Sequence, residues 1–469
     1  MYLPVLSALD LAGLITQQSS TVDSYVGSEA PLAKAGLLAN IGHDGAKSHG
    51  ALAGLVVASP STQNPDYLYT WTRDSSLVFK LLIDQFVSGE DTTLRPLIDS
   101  FITVEGKIQQ TTNPSGTVST GGLGEPKFNI DGTAFTKPWG RPQRDGPALR
   151  STAMITYGNW LLDNGNTSWV NNTLWPEVQL DLDYVSANWN KSTFDLWEEV
   201  NSSSFFTAAV QHRSLRAGSA FAARLQKAQQ STTYSTQANR VLCFMQSFWN
   251  PKGMYMTANT GGGRSGIDSN TVLASIHTFD PAAGCDATTF QPCSDKALSN
   301  LHVYTESFRN IYSINSKNAT ALATGRYPED SYMGGNPWYL STAAVAEQLY
   351  DTVTVWTNTS QLEITPVSLP FFHQLLAPQN ATVGVYNATS PVYQAAVGAA
   401  RNLADSYVAV HAKYTPSSGA LAEQFDRASG VPKSAADLTW SYAAILTAFR
   451  ARAGRAMGSW GAKGLKAVC

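Results

Sequence analysis

Charge is scarce in this chain. Only 14% of its 469 residues are Asp, Glu, Lys or Arg, against roughly a quarter in an average soluble domain. The formal net charge is -3, which predicts neither a nucleic-acid partner nor attraction to an anionic membrane. No uncharged apolar run reaches the roughly 18 residues of a membrane span. The 7 histidines are scattered and none pair at i, i+4, so a zinc-protease helix is excluded. There is no GxSxG elbow and no GxxxxGK[ST] loop. "GGGRSG" at 261–266 lacks the lysine and reads as a turn. Without a CxxC pair or a Cys/His cluster there is no zinc signal, and no cofactor or metal is expected.

Aromatic residues, by contrast, are abundant, with 12 Trp and 19 Tyr. A weakly charged surface rich in these rings suits a neutral, hydroxyl-bearing ligand. The 4 cysteines, Cys243, Cys285, Cys293 and Cys469, allow three pairings. Cys285 and Cys293 flank a short polar stretch, and a local bridge there would leave Cys243 to Cys469. That closure would span more than two hundred residues, and chain entropy assigns such a loop about 5 kcal/mol. Asn166, Asn171, Asn190, Asn201, Asn318, Asn358, Asn380 and Asn387 each begin an Asn-x-Ser/Thr sequon. With an even cysteine count they favour a secreted, glycosylated protein. Residues 1–20 are apolar but lack a basic start and contain Asp10, and they read as a leader or pro-segment remnant.

Apolar residues recur at helical spacing in many segments. They include "EAPLAKAGLLANIG", "SSLVFKLLIDQFV", "ALRSTAMITYGNWLLD", "YSTQANRVLCFMQSFW", "PWYLSTAAVAEQLYDTVTVW" and "ADLTWSYAAILTAFRARAG". With weaker candidates near 95–110, 174–188, 298–313 and 365–376, about a dozen helices are predicted, some starting at cap or Pro positions such as Ser75 and Pro337. "ALAGLVVASPS" is the best strand-like run. The longest loop, 115–146, is of a length uncommon unless functional or disordered. A single all-α domain over 21–469 with elaborate loops at one end is expected, and a toroid of paired helices fits it.

Six of the loops place an acid or an arginine beside Trp or Tyr at a helix start. They are "PDYLYTWTRDSS" (65–76), "PWGRPQRDGPALR" (138–150), "DLWEEV" (195–200), "GRYPEDSYMGGNPW" (325–338), "LAEQFDR" (421–427) and "DLTWSY" (437–442). Sugar sites use this mixture, because rings cover the apolar face of a pyranose while Asp and Arg bond its hydroxyls in pairs. The competing reading is a helix-capping acid beside a core aromatic. For "DLWEEV" it is concrete, since Asp195 and Glu198 have capping-box spacing.

These segments, in this order and spacing, resemble those of the fungal glucoamylases, family fifteen of the glycoside hydrolases, from about Ser24 to Cys469. The resemblance implies an (α/α)6 barrel with a pocket at one end. It also implies inverting, exo-acting release of glucose from the non-reducing ends of α-1,4-glucans, slower on α-1,6 links. It makes Glu198 the general acid and Glu423 the general base, with Ser434 supporting the base. Arg73 and Asp74 correspond to a pair gripping the terminal glucose, Tyr67 to a tyrosine near the developing cation, and Glu199 to a contact on the leaving-group side. Trp71, Trp139, Leu196, Trp197, Arg326, Glu329, Tyr332, Trp338 and Trp440 correspond to further sugar-binding positions. Starch and maltooligosaccharides are the implied partners, and a monomer is expected.

Inverting hydrolysis needs an acid and a base on opposite faces of the sugar, with carboxyls roughly 6.5–9.5 Å apart. Adjacent residues cannot flank a sugar, so Glu198 and Glu199 cannot be the pair and the partner must come from a distant segment. Glu198 must carry a proton, which Trp197 and the carboxylate of Glu199 would both favour. Glu423 must be ionised. Many relatives continue into a Ser/Thr-rich linker and a starch-binding module, whereas this chain ends at Cys469, so that module is not expected. Some relatives have a further close cysteine pair, where this chain reads "FAARLQKAQQ", so two disulfides are expected. The alternatives are another exo-glycosidase on a helical toroid and a non-catalytic glucan-binding protein. Presence of both Glu198 and Glu423 argues against the latter.

Overall fold

The computed structural model describes residues 8–456 and 458–469, with side chains from 21 onward. The stretch read as a leader, 1–20, lies outside the residues whose side chains are described. Fourteen helices follow in chain order among the described residues. Six are buried on nearly every side: α2 (Thr72–Val87), α4 (Gly146–Asp163), α7 (Phe205–Arg224), α9 (Ser269–His277), α11 (Tyr339–Thr359) and α14 (Thr439–Arg452). Each packs on the next in that order, and α14 closes on α2. The inner wall is therefore a complete ring.

An outer helix backs each member of the ring. They are α1 (Ala8–Ala39) on α14, α3 (Arg95–Gln110) on α2, α6 (Trp175–Asn188) on α4 and α7, α8 (Ala228–Met245) on α7, α10 (Asp295–Ser307) on α9, and α13 (Pro391–Tyr414) on α11. With the short α5 (Thr167–Trp169) and α12 (Leu369–Leu375) set aside, this is the expected (α/α)6 barrel. Buried charge ties the two layers together. Arg150 of α4 holds Asp181 of α6 at 2.8 and 2.7 Å and Glu105 of α3 at 3.1 Å. Removing one member of such a group strands a buried charge, at about 3–5 kcal/mol. Disulfides join Cys243 to Cys469 and Cys285 to Cys293, with Cα separations of 5.3 and 4.8 Å. No described helix is long and apolar enough to cross a membrane.

Three expectations about local structure change. "ALAGLVVASPS" is not a strand. Its one ladder contact is the bridge from Val56 to Ile41, and it is apolar because Leu55 and Val57 pack with Val104, Ile108 and Phe128. Helix α9 carries no periodic signal in the sequence, because nine residues buried nearly all round show no polar face to mark a period. Helices α2 and α11 begin at Thr72 and Tyr339 rather than Ser75 and Pro337, with Trp71 and Trp338 at the N-cap and no side-chain cap. Those tryptophans are committed to the cavity wall instead.

Candidate active site

The six segments singled out by composition are loops that lead into inner helices α2, α4, α7, α11 and, twice, α14. They converge at the N-terminal end of the ring around one cavity of about 590 Å³.

"DLWEEV" starts no helix. It joins two short antiparallel strands, Thr193–Phe194 and Asn201–Ser202. Asp195 does cap, but it caps a turn, accepting the N–H groups of Glu199 at 3.0 Å and Val200 at 3.2 Å. Glu198 has φ 68°, a left-handed conformation that costs a non-glycine residue about 1–3 kcal/mol. The bend sends the neighbouring carboxylates in different directions. Oε1 of Glu198 accepts from Trp71 Nε1 at 2.7 Å and Gln143 Nε2 at 2.9 Å, with Arg73 Nη2 at 3.6 Å. The indole serving this acid is therefore Trp71, not Trp197. Trp197 donates to Asp268 at 2.8 Å and stacks on Trp440.

Glu199 turns to the far wall. Its Oε1 accepts from Arg326 at 2.9 Å, and its Oε2 from Arg264 and Tyr327, both at 2.6 Å. Burial opposes ionisation there, but these donors outweigh it and hold the carboxyl below its ordinary range. Arg326 is fixed in turn by Asp330, through bonds of 2.8 and 2.7 Å.

Glu423 lies on the other side of the ring. It precedes a hairpin of Gln424–Phe425 with Pro432–Lys433, after which the chain bends through Ser434 at φ 66°. Ser434 Oγ and Gln424 Nε2 both donate to Oε2 of Glu423, the latter at 3.1 Å. Burial pushes this carboxyl up to about 7, against the pull of Ser434, Tyr67, Arg326 and Gln424. The ionised state asked of a base is thus incomplete below neutral pH.

Tyr67, Trp71, Arg73, Asp74, Trp139, Leu196, Trp197, Glu199, Arg326, Tyr332, Trp338 and Trp440 all line the cavity with Glu198 and Glu423, and Ser434 stands against Glu423. Glu329 does not line it. It is exposed and accepts the N–H of Ser265 at 2.8 Å, while its neighbour Asp330 points inward to Arg326. Arg73 is anchored by Asp145 at 3.0 Å and by Gln143 at 2.8 Å. Burial pushes the Asp74 carboxyl up to about 6, opposed by Arg73. Tyr67 and Tyr332 share a hydroxyl contact of 2.9 Å.

Sequence reasoning passed over Gln143, Asp268, Asp330 and Lys127. Lys127 lies 3.6 to 4.5 Å from the ring centres of Trp139, Tyr69, Phe135 and Trp71. Burial pushes it down to about 8, with Glu198 pulling the other way. The indole N–H groups of Trp139 and Trp338 and Nε of Arg73 are buried without an acceptor in the protein.

A family model described as Glycosyl hydrolases family 15 matches residues 31–450. Glucoamylase-1 of Schizophyllum commune is 58% identical over 461 residues, covering 98% of this chain and 79% of that one. A glucoamylase of Neurospora crassa is 51% identical, covering 94% and 70%. Among solved structures, the family 15 glucoamylase from Hypocrea jecorina has a TM-score of 0.92 at 52% identity, over 94% of this chain and 74% of that one. The glucoamylase from Saccharomycopsis fibuligera has 0.86 at 30%, over 92% and 95%.

Proposed function

The chain belongs to glycosyl hydrolase family 15, and from that premise we propose that Glu198 is the general acid and Glu423 the general base of its reaction. The activity is that of a glucan 1,4-α-glucosidase, an exo-acting, inverting hydrolase that releases glucose from the ends of starch. The assignment rests on one observation above the others. Glu198 and Glu423 sit on the loops leading into α7 and α14, three places apart in a ring of six and therefore on opposite sides of the same cavity. One acid can protonate the glycosidic oxygen while the other activates water on the far face of the sugar, as inversion requires.

Each carboxyl has one oxygen fixed by donors and one left for chemistry. The ion-paired Glu199 is held as a carboxylate, which suits a hydroxyl acceptor rather than a proton donor. Trp139, Trp338 and Trp440 supply ring surface on the cavity wall for the apolar face of a sugar. Starch and maltooligosaccharides are the substrates, and the protein acts as a secreted, glycosylated monomer. Two disulfides and the exposure of six sequon asparagines, Asn190, Asn201, Asn318, Asn358, Asn380 and Asn387, support that setting.

The product series from maltoheptaose tests the exo reading. Glucose and chains shortened one unit at a time should accumulate from the first minutes. Early maltose or maltotriose in excess of glucose would contradict it.

A further inference from the structure

The ring has six inner helices, and the loop into α9 is the one that composition passed over. It carries "GGGRSG", and α9 stands between α7 and α11. Arg264 therefore emerges between the loop bearing Glu199 and the loop bearing Tyr327. Its Nη2 donates to Oε2 of Glu199 at 2.6 Å, and its guanidinium lies 3.8 Å from the centre of the Tyr327 ring. The loop is pinned from both sides. Thr260 N–H reaches Ser203 O at 3.0 Å, and Ser265 N–H reaches Glu329 at 2.8 Å. This gives the outward-pointing Glu329 a place. Gly262 has φ 99°, and a Cβ there would meet Val200 at 2.8 Å, so the loop lies directly on the "DLWEEV" turn.

A carboxylate offers about four acceptor sites. In Glu199, Arg264 and Tyr327 occupy both sites of Oε2 and Arg326 one of Oε1. The remaining site is on Oε1. Arg264 also keeps Nη1 buried with no acceptor in the protein.

We propose that Arg264 is a positioning residue that clamps Glu199 so that its last free acceptor site meets a hydroxyl of the leaving-group sugar. Through that clamp the enzyme distinguishes a glucosyl leaving group from one that carries no sugar. The proposal rests on the roles given above to Glu198 and Glu423, which act on the bond itself.

The test compares kcat/KM for maltose with that for α-glucosyl fluoride, whose leaving group has no hydroxyl to read. In Arg264→Ala the maltose-to-fluoride ratio should fall roughly tenfold to a hundredfold, the scale of one charge-assisted hydrogen bond. In a Glu199→Gln background the same substitution should add little, because the two residues act as a unit. Arg264→Lys keeps a cation but loses the fork and the stacking. It should lower the ratio less, and it serves as the test if the alanine variant does not fold. A parallel fall on both substrates, or an unchanged ratio, overturns the proposal while leaving the catalytic pair standing. Wild-type inactivity on both substrates would sink the parent reading and this one with it.

Discussion

Trp71 donates its indole N–H to Oε1 of Glu198 at 2.7 Å. Gln143 reaches the same oxygen at 2.9 Å, and the Arg73 guanidinium lies 3.6 Å from it. With the donors gathered on Oε1, a proton on this carboxyl belongs on Oε2. On the role proposed for Glu198, its proton is delivered from a defined oxygen instead of from either of two.

Replacing Glu198 with Gln keeps the shape and removes the ionisable proton. Turnover of maltose should fall roughly 10²–10⁴-fold, while calorimetry should still detect maltose binding. Retention of most activity would move the acid elsewhere.

Trp71→Phe keeps a ring against Tyr67 and Trp139 but deletes the N–H. The kcat on maltose should fall about tenfold, with the fold intact by circular dichroism. An unchanged kcat would show that fixing Oε1 contributes nothing.

Ser434 donates to Glu423 and draws its carboxyl down against burial, which still leaves it at about 7. In Ser434→Ala the remaining balance favours the proton, so Glu423 deprotonates at higher pH. The acidic limb of kcat/KM should therefore move upward by roughly half to one pH unit. A limb that stays in place or moves to lower pH would separate Ser434 from the base.

Much of the site was legible because sugar recognition concentrates Trp, Tyr, Arg and acids in short loops, and those loops lead into inner helices. What stayed hidden depends on tertiary placement. Lys127 is one cation between Pro126 and Phe128, and nothing local announces that Tyr69, Trp71, Phe135 and Trp139 close around it. Glu329 and Asp330 are adjacent and chemically alike, and only the turn decides which faces Arg326. The capping-box spacing in "DLWEEV" is indifferent to φ, so the letters alone leave the helix-cap alternative open. Glu198 in the left-handed region makes a hairpin turn where a helix was equally compatible with the letters.

Burial pushes the carboxyls of Glu29, Glu177 and Glu423 up to about 7, that of Asp268 to about 8 and that of Asp74 to about 6, and it raises those of the neighbouring Glu347 and Asp351. In the unfolded chain these acids titrate near 4, so the native state holds the extra protons. Their stabilising contribution is full below about pH 4, declines as pH rises from there, and is fully lost once pH has passed 6 to 8. Buried His212, His277 and His411, pushed down to about 3, work in the opposite direction. Unfolded imidazoles titrate near 6.5, so the histidines offset the acids only at the lower end of this range, and the more numerous acids dominate through it. Calorimetry should show Tm falling by a few degrees between about pH 6 and pH 8. A Tm that rises over that interval would contradict the burial of these acids.

Inversion by Glu198 and Glu423 requires that they act from opposite faces of one sugar. The anomer released first from maltotriose, followed by proton NMR before mutarotation equilibrates it, tests this directly. β-Glucose should appear first, with the α form growing in afterwards. α-Glucose as the initial product would contradict the assignment of the pair.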